Sequence, residues 1–479
     1  MEPGQDLMKP RLEKRAKLLA RGLDPYGGLF EVSESVAAAR AQPEAEREVR
    51  LAGRVMSHRD MGKSLFLDLK DSSGKIQLYV QKKVLAEESF ECFKHFVDLG
   101  DIIGVVGKLF VTHAGELTVR VESWQMLSKA LRPLPKEYYG IENVETRLRQ
   151  RYLDVILNDK VRETFQMRSR IVAEVRRYLM ENGFMEVETP MMQPLAGGAV
   201  AKPFRTHHEA LNLDLFLRVA PELYLKRLLV AGFERVFELN RNFRNEGISR
   251  RHNPEFTMLE VYQAYGNFET MMELVQGMIT TVAEHVLDSL VIKRYDGEEI
   301  NLTPPWRRVR YETLVAERVG ADWFQISAAE RRARAQNMGV EFAADAPDYE
   351  VTNAVFEKTI EPTLLHPTFV THLPAELVVL AKPNRENPGV VDVFELVING
   401  QEIAPGYTEL NDPVVQRERL LAQAAGHAEK LDEDFLTALE YGMPPAGGMG
   451  VGIDRLCMML TGVESIRDVI LFPQLRPQT

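Results

Sequence analysis

Apolar and polar residues alternate through much of the first third of the chain. The stretches "REVRLAGRVMSH", "KSLFLDLKD", "KIQLYVQK", "DIIGVVGKLFVT" and "ELTVRVESWQ", within residues 48–126, each carry the two-residue period of a half-buried strand. The turns between them are "DMG", "DSSG" and "HAG", and one helical stretch, 84–97, separates the third strand from the fourth. Ahead of the strands, Met8, Leu12, Ala16 and Leu19 recur at helical spacing with basic residues on the remaining face, and Gly22, Pro25, Gly27 and Gly28 end the pattern. Beyond the proline-rich "LRPLPKEYYG" (131–140) the two periods mix. "KVRETFQMRSRIVAEVRRYLMENGF" puts Val161, Phe165, Val172, Val175 and Leu179 on one face of a long helix. Gly183 ends that helix, and "FMEVETP" follows as a strand. Two hairpins come next: "FERVFELN" and "EFTMLEVY" around the loop "NEGISRRHNP", and "DVFELVINGQEIAPGYTELND" around Asn399-Gly400, a type I′ turn dipeptide. Residues 305–365 read as mostly helical and carry no chemistry of their own.

Five strands with a helix after the third match an OB-fold barrel, a fold used for oligonucleotides. An SH3-like barrel shares the strand number but not the helix position. At 479 residues the chain has room for roughly two to four domains. No apolar run is long enough for a membrane span, and the N-terminus lacks the apolar core of an export signal. Cys92 and Cys457 are the only cysteines and stand far apart, which argues against a disulfide framework or a cysteine-built zinc site and fits a reducing cytoplasm. The net charge of −11 speaks against nucleic-acid binding by the body of the chain. Residues 9–21 nevertheless hold six basic side chains and one acid, a local cationic arm.

Candidate chemistry concentrates in three segments. On "EFTMLEVY" the strand period sets Phe256, Met258, Glu260 and Tyr262 on one face, with Arg244, Arg250, Arg251 and His252 at the edge or on the loop above. Guanidinium forks suit phosphate oxygens, so a triphosphate carrying a stacked base is a natural guest; a salt-bridged edge hairpin is the alternative. In the second hairpin a two-residue loop pairs Val397 with Glu402 and Glu395 with Ala404, which sets Glu395 and Glu402 about 7–8 Å apart on one face. Carboxylates that close require a cation or a shared proton. Mg²⁺ bridging them to phosphates is the simplest answer; an arginine partner and a glycosidase-type acid pair are the others. Third, "PPAGGMGVGIDRLCMML" (444–460) runs from a glycine-rich strand into a helix starting near Asp454, with Arg455 at the helix start, where the dipole favours anions. No βαβ unit surrounds these glycines and no GxxxxGK[ST] loop exists, so neither usual nucleotide fingerprint applies.

In order and spacing these segments resemble motifs 1, 2 and 3 of the class II aminoacyl-tRNA synthetases: "VETP" with Pro190, "FRNEGISRRHNPEFTMLE" and "GMGVGIDRLCM". The class I signatures HIGH and KMSKS are absent. "GGAVAKPF", "APELYLKRLLVAGFERVFELNRNFRNEG" and "YTELND" are similar to the bacterial lysyl-tRNA synthetases, and the likeness covers nearly the whole chain. It implies an α+β protein with an N-terminal OB-fold barrel followed by a catalytic domain whose antiparallel sheet is flanked by helices. The expected organisation is a basic helix at 1–30, an anticodon-binding barrel at 31–130, a linker at 131–150 and the catalytic domain at 151–479. It further implies a cytoplasmic homodimer, joined through motif 1, that uses ATP and Mg²⁺ to activate L-lysine and charge tRNA(Lys).

Carried over by position, the resemblance makes Arg244 and Arg455 catalytic and places Arg244, Glu246, Arg251, His252, Phe256 and Arg455 around ATP. It places Gly198, Glu222, Glu260, Tyr262, Tyr407 and Glu409 around lysine, with Glu409 and Tyr262 at the ε-ammonium. Glu395 and Glu402 would hold the metal. In the barrel, Arg59, Phe66, Gln77 and Glu116 would read the anticodon; without the resemblance, Phe66 reads as a core residue. Pro405 departs from the pattern, standing where an asparagine is expected near the substrate carboxylate. Rival readings are a protein-lysylating relative without a barrel, an aspartyl or asparaginyl enzyme with a cationic pocket, and a barrel protein with an inactive second domain. The intact Glu409, Arg244, Glu402 and Arg455 favour the lysine enzyme.

Overall fold

The computed structural model describes residues 5–135, 143–195, 197–198, 201–424 and 431–477; residues 136–142 of the predicted linker lie outside them. The chain divides into two compact units, Met1–Ile141 and Glu142–Thr479.

The first unit opens with helices α1 (Gln5–Ala20) and α2 (Val36–Ala41). Strands β1 (Glu48–Asp60), β2 (Ser64–Lys70) and β3 (Lys75–Gln81), helix α3 (Glu87–Phe96), and strands β4 (Ile102–Val111) and β5 (Leu117–Ser128) follow. The strands close into a barrel in the order β1-β2-β3-β5-β4, the OB-fold expected from the alternation. Leu65, Leu67, Leu69, Ile76, Leu78 and Val80 fill it, and the alternating positions, Phe66 and Tyr79 among them, face outward. The face of α1 differs from expectation. Leu12, Ala16 and Leu19 are exposed and Leu18 is buried instead. Two of the basic side chains point inward, Arg11 donating to the carbonyls of Ala130 and Leu99 (both 2.8 Å) and Lys14 pairing with Asp98 at 2.6 Å. Polar acceptors on the barrel, not apolar area, orient this helix, and Asp98 offsets one charge of the cationic arm.

The second unit begins with α4 (Val144–Arg149), inside the segment read as a linker, then α5 (Arg151–Leu157), the long α6 (Asp159–Glu181) and β6 (Met185–Glu186). The buried seam of α6 is Ile171, Val175 and Leu179; Val172, Val161 and Phe165 are only half-buried. Strands β7 (Met192–Gln193), β8 (Arg205–His208) and β9 (Leu213–Leu217) form a small sheet before α7 (Glu222–Val230). Then come β10 (Arg235–Phe243), β11 (Glu255–Ala264), α8 (Phe268–Leu287) and the hairpin β12 (Val291–Lys293) and β13 (Glu299–Asn301). Residues 307–359 form β14 (Arg307–Arg310), α9 (Tyr311–Val319), α10 (Ala328–Asn337) and α11 (Asp348–Thr359) around their own core. The chain ends with β15 (Thr368–Thr371), β16 (Val393–Ile398), β17 (Gln401–Thr408), α12 (Pro413–Gln423), α13 (Glu433–Glu440), β18 (Ala446–Gly452), α14 (Ile453–Thr461) and α15 (Ile466–Val469).

Eight strands make one sheet in the order β14-β15-β16-β17-β18-β11-β10-β6, antiparallel except at its two edge pairs. Helices α6, α8 and α14 cover one face, packing on Leu259, Val261, Met449 and Val451. The opposite face is left to the site. Asn399 and Gly400 turn at φ 60° and 64°, but the hairpin register differs from the simple pairing. A bulge follows Val397↔Glu402, so Ala404 lies opposite Leu396 and Pro405 opposite Glu395. Glu395 and Glu402 still share a face. Among the described residues, no helix is long and apolar enough to cross a membrane.

Candidate active site

The floor of the site is built by omission. Phe256, Met258, Glu260 and Tyr262 all lie on the open face of β11, and β18 sets a glycine opposite each of the last three: Met258↔Gly452, Glu260↔Gly450 and Tyr262↔Gly448. Between those glycines, Met449 and Val451 point into the core. The alternation of "GGMGVG" is therefore a strand with one apolar face and one bare face. A Cβ on Gly448 would lie 2.0 Å from Glu409 Oε1 and 2.6 Å from the Tyr262 ring. Strand β17 pairs with β18 only from Gly406 to Thr408. At Pro405, which has no N–H to donate, the ladder stops and the two strands bound a cavity lined by Arg244, Glu246, Arg251, His252, Phe256, Glu402, Pro405 and Arg455.

One end of this face is a buried cluster of acids and phenols. Tyr262 donates to Glu260 Oε2 at 3.0 Å, and Tyr407 donates to Glu222 Oε1 at 2.8 Å. Gly198, at φ +86°, packs so closely that a Cβ would meet that of Glu222 at 3.2 Å. Glu409 is fully buried; its Oε2 lies 2.5 Å from the Lys226 ammonium, and its Oε1 has no hydrogen-bond partner. Burial pushes Glu260 and Glu409 up to about 8, with Glu222 pushing both the same way. The same burial and the same carboxylates raise the phenols of Tyr262 and Tyr407 well above their ordinary value. An ammonium guest would satisfy this cluster. Sequence reasoning missed Lys226, one helical turn after Glu222, whose ammonium enters it; in "ELYLKRLL" nothing marks that lysine as buried.

The other end gathers cations. The Arg244 guanidinium lies 5.2 Å from the Phe256 ring centroid, and its buried Nε has no partner. Arg455 donates through Nη1 to the Glu402 carbonyl (2.9 Å) and through Nη2 to His252 Nε2 (3.1 Å). Burial, with Arg455 next to it, lowers the His252 pKa, so the ring is neutral and Nε2 accepts. Arg250 turns away to pair with Glu464. Asp454 is structural: it is buried, pairs with Arg168 at 2.6 Å and accepts from the Thr257 amide at 2.7 Å, fixing α14 to β11 and α6. An anionic guest with a stacked ring fits this end.

Glu395 and Glu402 belong to a larger acidic group. Glu361 accepts from the Glu402 amide at 3.2 Å and lies 3.9 Å from Arg251. Burial and then Glu402 raise Glu395 well above the carboxylate range, and the same two causes bring Glu361 to about 6. Glu357 and Glu361 come from the 305–365 region, where no motif pointed to them. Among the described residues, no three acidic, histidine or cysteine side chains form a ready-made metal cage. The arrangement fits a hard divalent ion held by one or two carboxylates and completed by phosphates and water, the way Mg²⁺ is usually bound.

On the barrel, Arg59 pairs with Phe66 across β1 and β2, its guanidinium 6.0 Å from the ring centroid. Phe66 stacks on Tyr79 at 4.7 Å, and Tyr79 lies 5.9 Å from Phe110. Gln77 accepts from Thr118 at 3.0 Å, and Glu116 lies 3.4 Å from Arg40. Phe66 is thus a half-buried outward ring, not core, and it heads an aromatic ladder whose other members, Tyr79 and Phe110, escaped notice as ordinary strand aromatics.

Comparison with known proteins agrees with this geometry. Residues 143–476 match the family profile "tRNA synthetases class II (D, K and N)", and residues 49–127 match "OB-fold nucleic acid binding domain". The lysine–tRNA ligase of Carboxydothermus hydrogenoformans is 51% identical over 482 residues, covering 99% of this chain and 98% of that one. That of Syntrophomonas wolfei is 50% identical over 484 residues (99% and 98%), and that of Moorella thermoacetica 49% over 487 residues (100% and 99%). With both domains matched and the likeness running end to end, the chain belongs to the class II aminoacyl-tRNA synthetases, in the family of the lysine–tRNA ligases.

Proposed function

We propose that the chain is a lysine–tRNA ligase, which activates L-lysine with ATP to lysyl-adenylate and passes the lysyl group to the 3′ end of tRNA(Lys). The observation that carries this reading is Glu409, a fully buried carboxylate that keeps one oxygen without a hydrogen-bond donor within the cluster of acids and phenols on the open face of the sheet. An unsatisfied buried carboxylate oxygen is costly, and the ε-ammonium of lysine supplies the missing donor. An aspartate or asparagine side chain would meet acids and phenols there, with the Lys226 ammonium already held by Glu222 and Glu409.

In the first step the lysine carboxylate attacks the ATP α-phosphorus and expels pyrophosphate. In the second, a terminal ribose hydroxyl of the tRNA attacks the mixed anhydride and releases AMP. No protein nucleophile is needed, so the residues act by placement and charge. Arg244 would bind the α-phosphate and the amino-acid carboxylate, Phe256 would stack under the adenine ring, and Glu246 would read the adenine amino group. His252 and Arg251 would take the outer phosphates. Arg455, fixed by Glu402 and His252, would clamp from the other side. Glu222, Glu260 and Gly198 would surround the α-ammonium, and Glu409 with Tyr262 and Tyr407 the ε-ammonium. Mg²⁺ would be held by Glu395 and Glu402 and would supply neutralising charge to the phosphates. In the barrel, Arg59, Phe66, Gln77 and Glu116 would read an unstacked anticodon base. Dimerisation through the segment around α6 and β6–β7 is supported by the exposed Met180, Met185 and Met192. The reducing cytoplasm suits the two free, buried cysteines.

ATP–pyrophosphate exchange, run one amino acid at a time with and without Mg²⁺, tests the reading. Mg²⁺-dependent exchange with lysine alone is expected; exchange with a different amino acid, or none, would refute it.

A further inference from the structure

Lys226 stands inside the proposed amino-acid pocket, although neither reaction step calls for a protein amine. It is fully buried on α7. Its Nζ lies 2.7 Å from Glu222 Oε1, 2.5 Å from Glu409 Oε2 and 5.6 Å from the centroid of the Tyr407 ring. One ammonium therefore already sits at the end of a pocket built to receive another. The ionisable groups around it are Glu222 on its own helix, Glu260 and Tyr262 from β11, and Tyr407 and Glu409 from β17 and the residue after it. Arg218 and Arg244 act on the same cluster through Glu260.

We propose that Lys226 is the specificity-determining counter-ion of this pocket: it cancels one of three carboxylate charges, leaves two for the two ammonium groups of lysine, and positions Glu409 to receive the ε-ammonium. The proposal rests on reading the pocket as a lysine site. Ionised Glu222, Glu260 and Glu409 carry three negative charges, and Lys226 removes one. The α- and ε-ammonium groups match the remainder, and the substrate carboxylate is left to Arg244. An amino acid with a single ammonium leaves one buried carboxylate unpaired or forces it to keep a proton. Glu409 is ready for its guest. Lys226 holds its Oε2 at 2.5 Å, and its Oε1 remains without a donor. Lys226 is a positioning residue and touches no reacting atom.

The test is kinetic, on the full-length enzyme. Lysine binding by the wild type, measured by calorimetry, is the reference, and no binding there would overturn the pocket reading together with this assignment. Lys226→Met is similar in length and uncharged. It should raise the KM for lysine at pH 7 by about tenfold or more and leave the KM for ATP within about threefold. The kcat/KM preference for lysine over norleucine should fall by about tenfold, and the pH at which the lysine KM levels off should rise by about one unit. Lys226→Gln keeps a donor toward Glu222 and guards against misfolding of the methionine variant; the same shifts are expected from it. Unchanged lysine KM, preference and pH profile in a folded variant would overturn the assignment, as would a loss of kcat alone at every pH.

Discussion

Replacing Gly448 by alanine would put a methyl group where the pocket has no room. The new Cβ would lie 2.0 Å from Glu409 Oε1 and 2.6 and 2.7 Å from two Tyr262 ring carbons, against ordinary contacts of 3.4 Å or more. Neither neighbour can step aside freely. Glu409 is fully buried and ion-paired to Lys226, and Tyr262 is buried and donates to Glu260. Overpacking of this kind costs about 1–3 kcal/mol. If Glu409 yields instead, the bound ε-ammonium loses its carboxylate, a loss of about 3–5 kcal/mol for a buried pair. At about 1.4 kcal/mol per decade, the second case lowers kcat/KM for lysine by roughly two to three and a half orders of magnitude. The same change along the strand should weaken in steps. At Gly450 the Cβ meets only the mobile end of Met258 at 2.6 Å, and at Gly452 nothing lies closer than 3.8 Å. Pyrophosphate exchange titrated with lysine and, separately, with ATP reads out the series. Gly448→Ala should lose lysine affinity while the KM for ATP stays within about threefold. Gly452→Ala should keep its lysine KM. A folded Gly448→Ala enzyme with a wild-type lysine KM, or equal effects at all three positions, would refute the assignment of Glu409 to the ε-ammonium.

Arg244→Ala should abolish adenylate formation, a loss of about 10²–10⁴ in exchange rate, while circular dichroism and thermal melting stay near wild type. Because Glu260 sits at about 8 in the empty pocket, it holds a proton below that pH and must release it to pair with an ammonium. Lysine affinity should therefore rise with pH up to about 8, and calorimetry in buffers of different ionisation enthalpy should detect proton release at pH 7. A flat profile would contradict the role given to Glu260. Phe66→Ala should leave exchange untouched and weaken tRNA charging by about 1–3 kcal/mol, seen as a raised KM for tRNA. Glu402→Gln should raise the Mg²⁺ concentration needed for half-maximal exchange.

Much of this was legible in the sequence because strand period and burial agree where one face is wet. Leu65, Leu67 and Leu69 alternate with polar or aromatic neighbours, so the barrel could be drawn from the text, as could the face shared by Phe256, Met258, Glu260 and Tyr262. The failures have physical reasons. Helix α1 turned its Leu12–Leu19 face outward because long cationic side chains found the carbonyls of Ala130 and Leu99 and the carboxylate of Asp98, and no apolar period encodes such acceptors. The bulge after Val397 moved Glu395 from Ala404 to Pro405, since the loop length sets only the first pairs of a hairpin. Lys226 looked like any solvated helix lysine. Its burial depends on Glu409, which lies far along the chain and reaches it only through the fold.

The bare face of β18 has a consequence for inhibitors. A wall made by leaving side chains out cannot be altered by a conservative substitution, because every residue one base change away from glycine adds at least a Cβ. A compound pressed against Gly448 would confront a surface that resistance mutations can only thicken, and there thickening drives into Glu409 and Tyr262, to which the proposed function assigns the substrate ε-ammonium. Escape would have to come from residues at the rim, such as Met258 or Pro405, where side chains can change without closing the pocket.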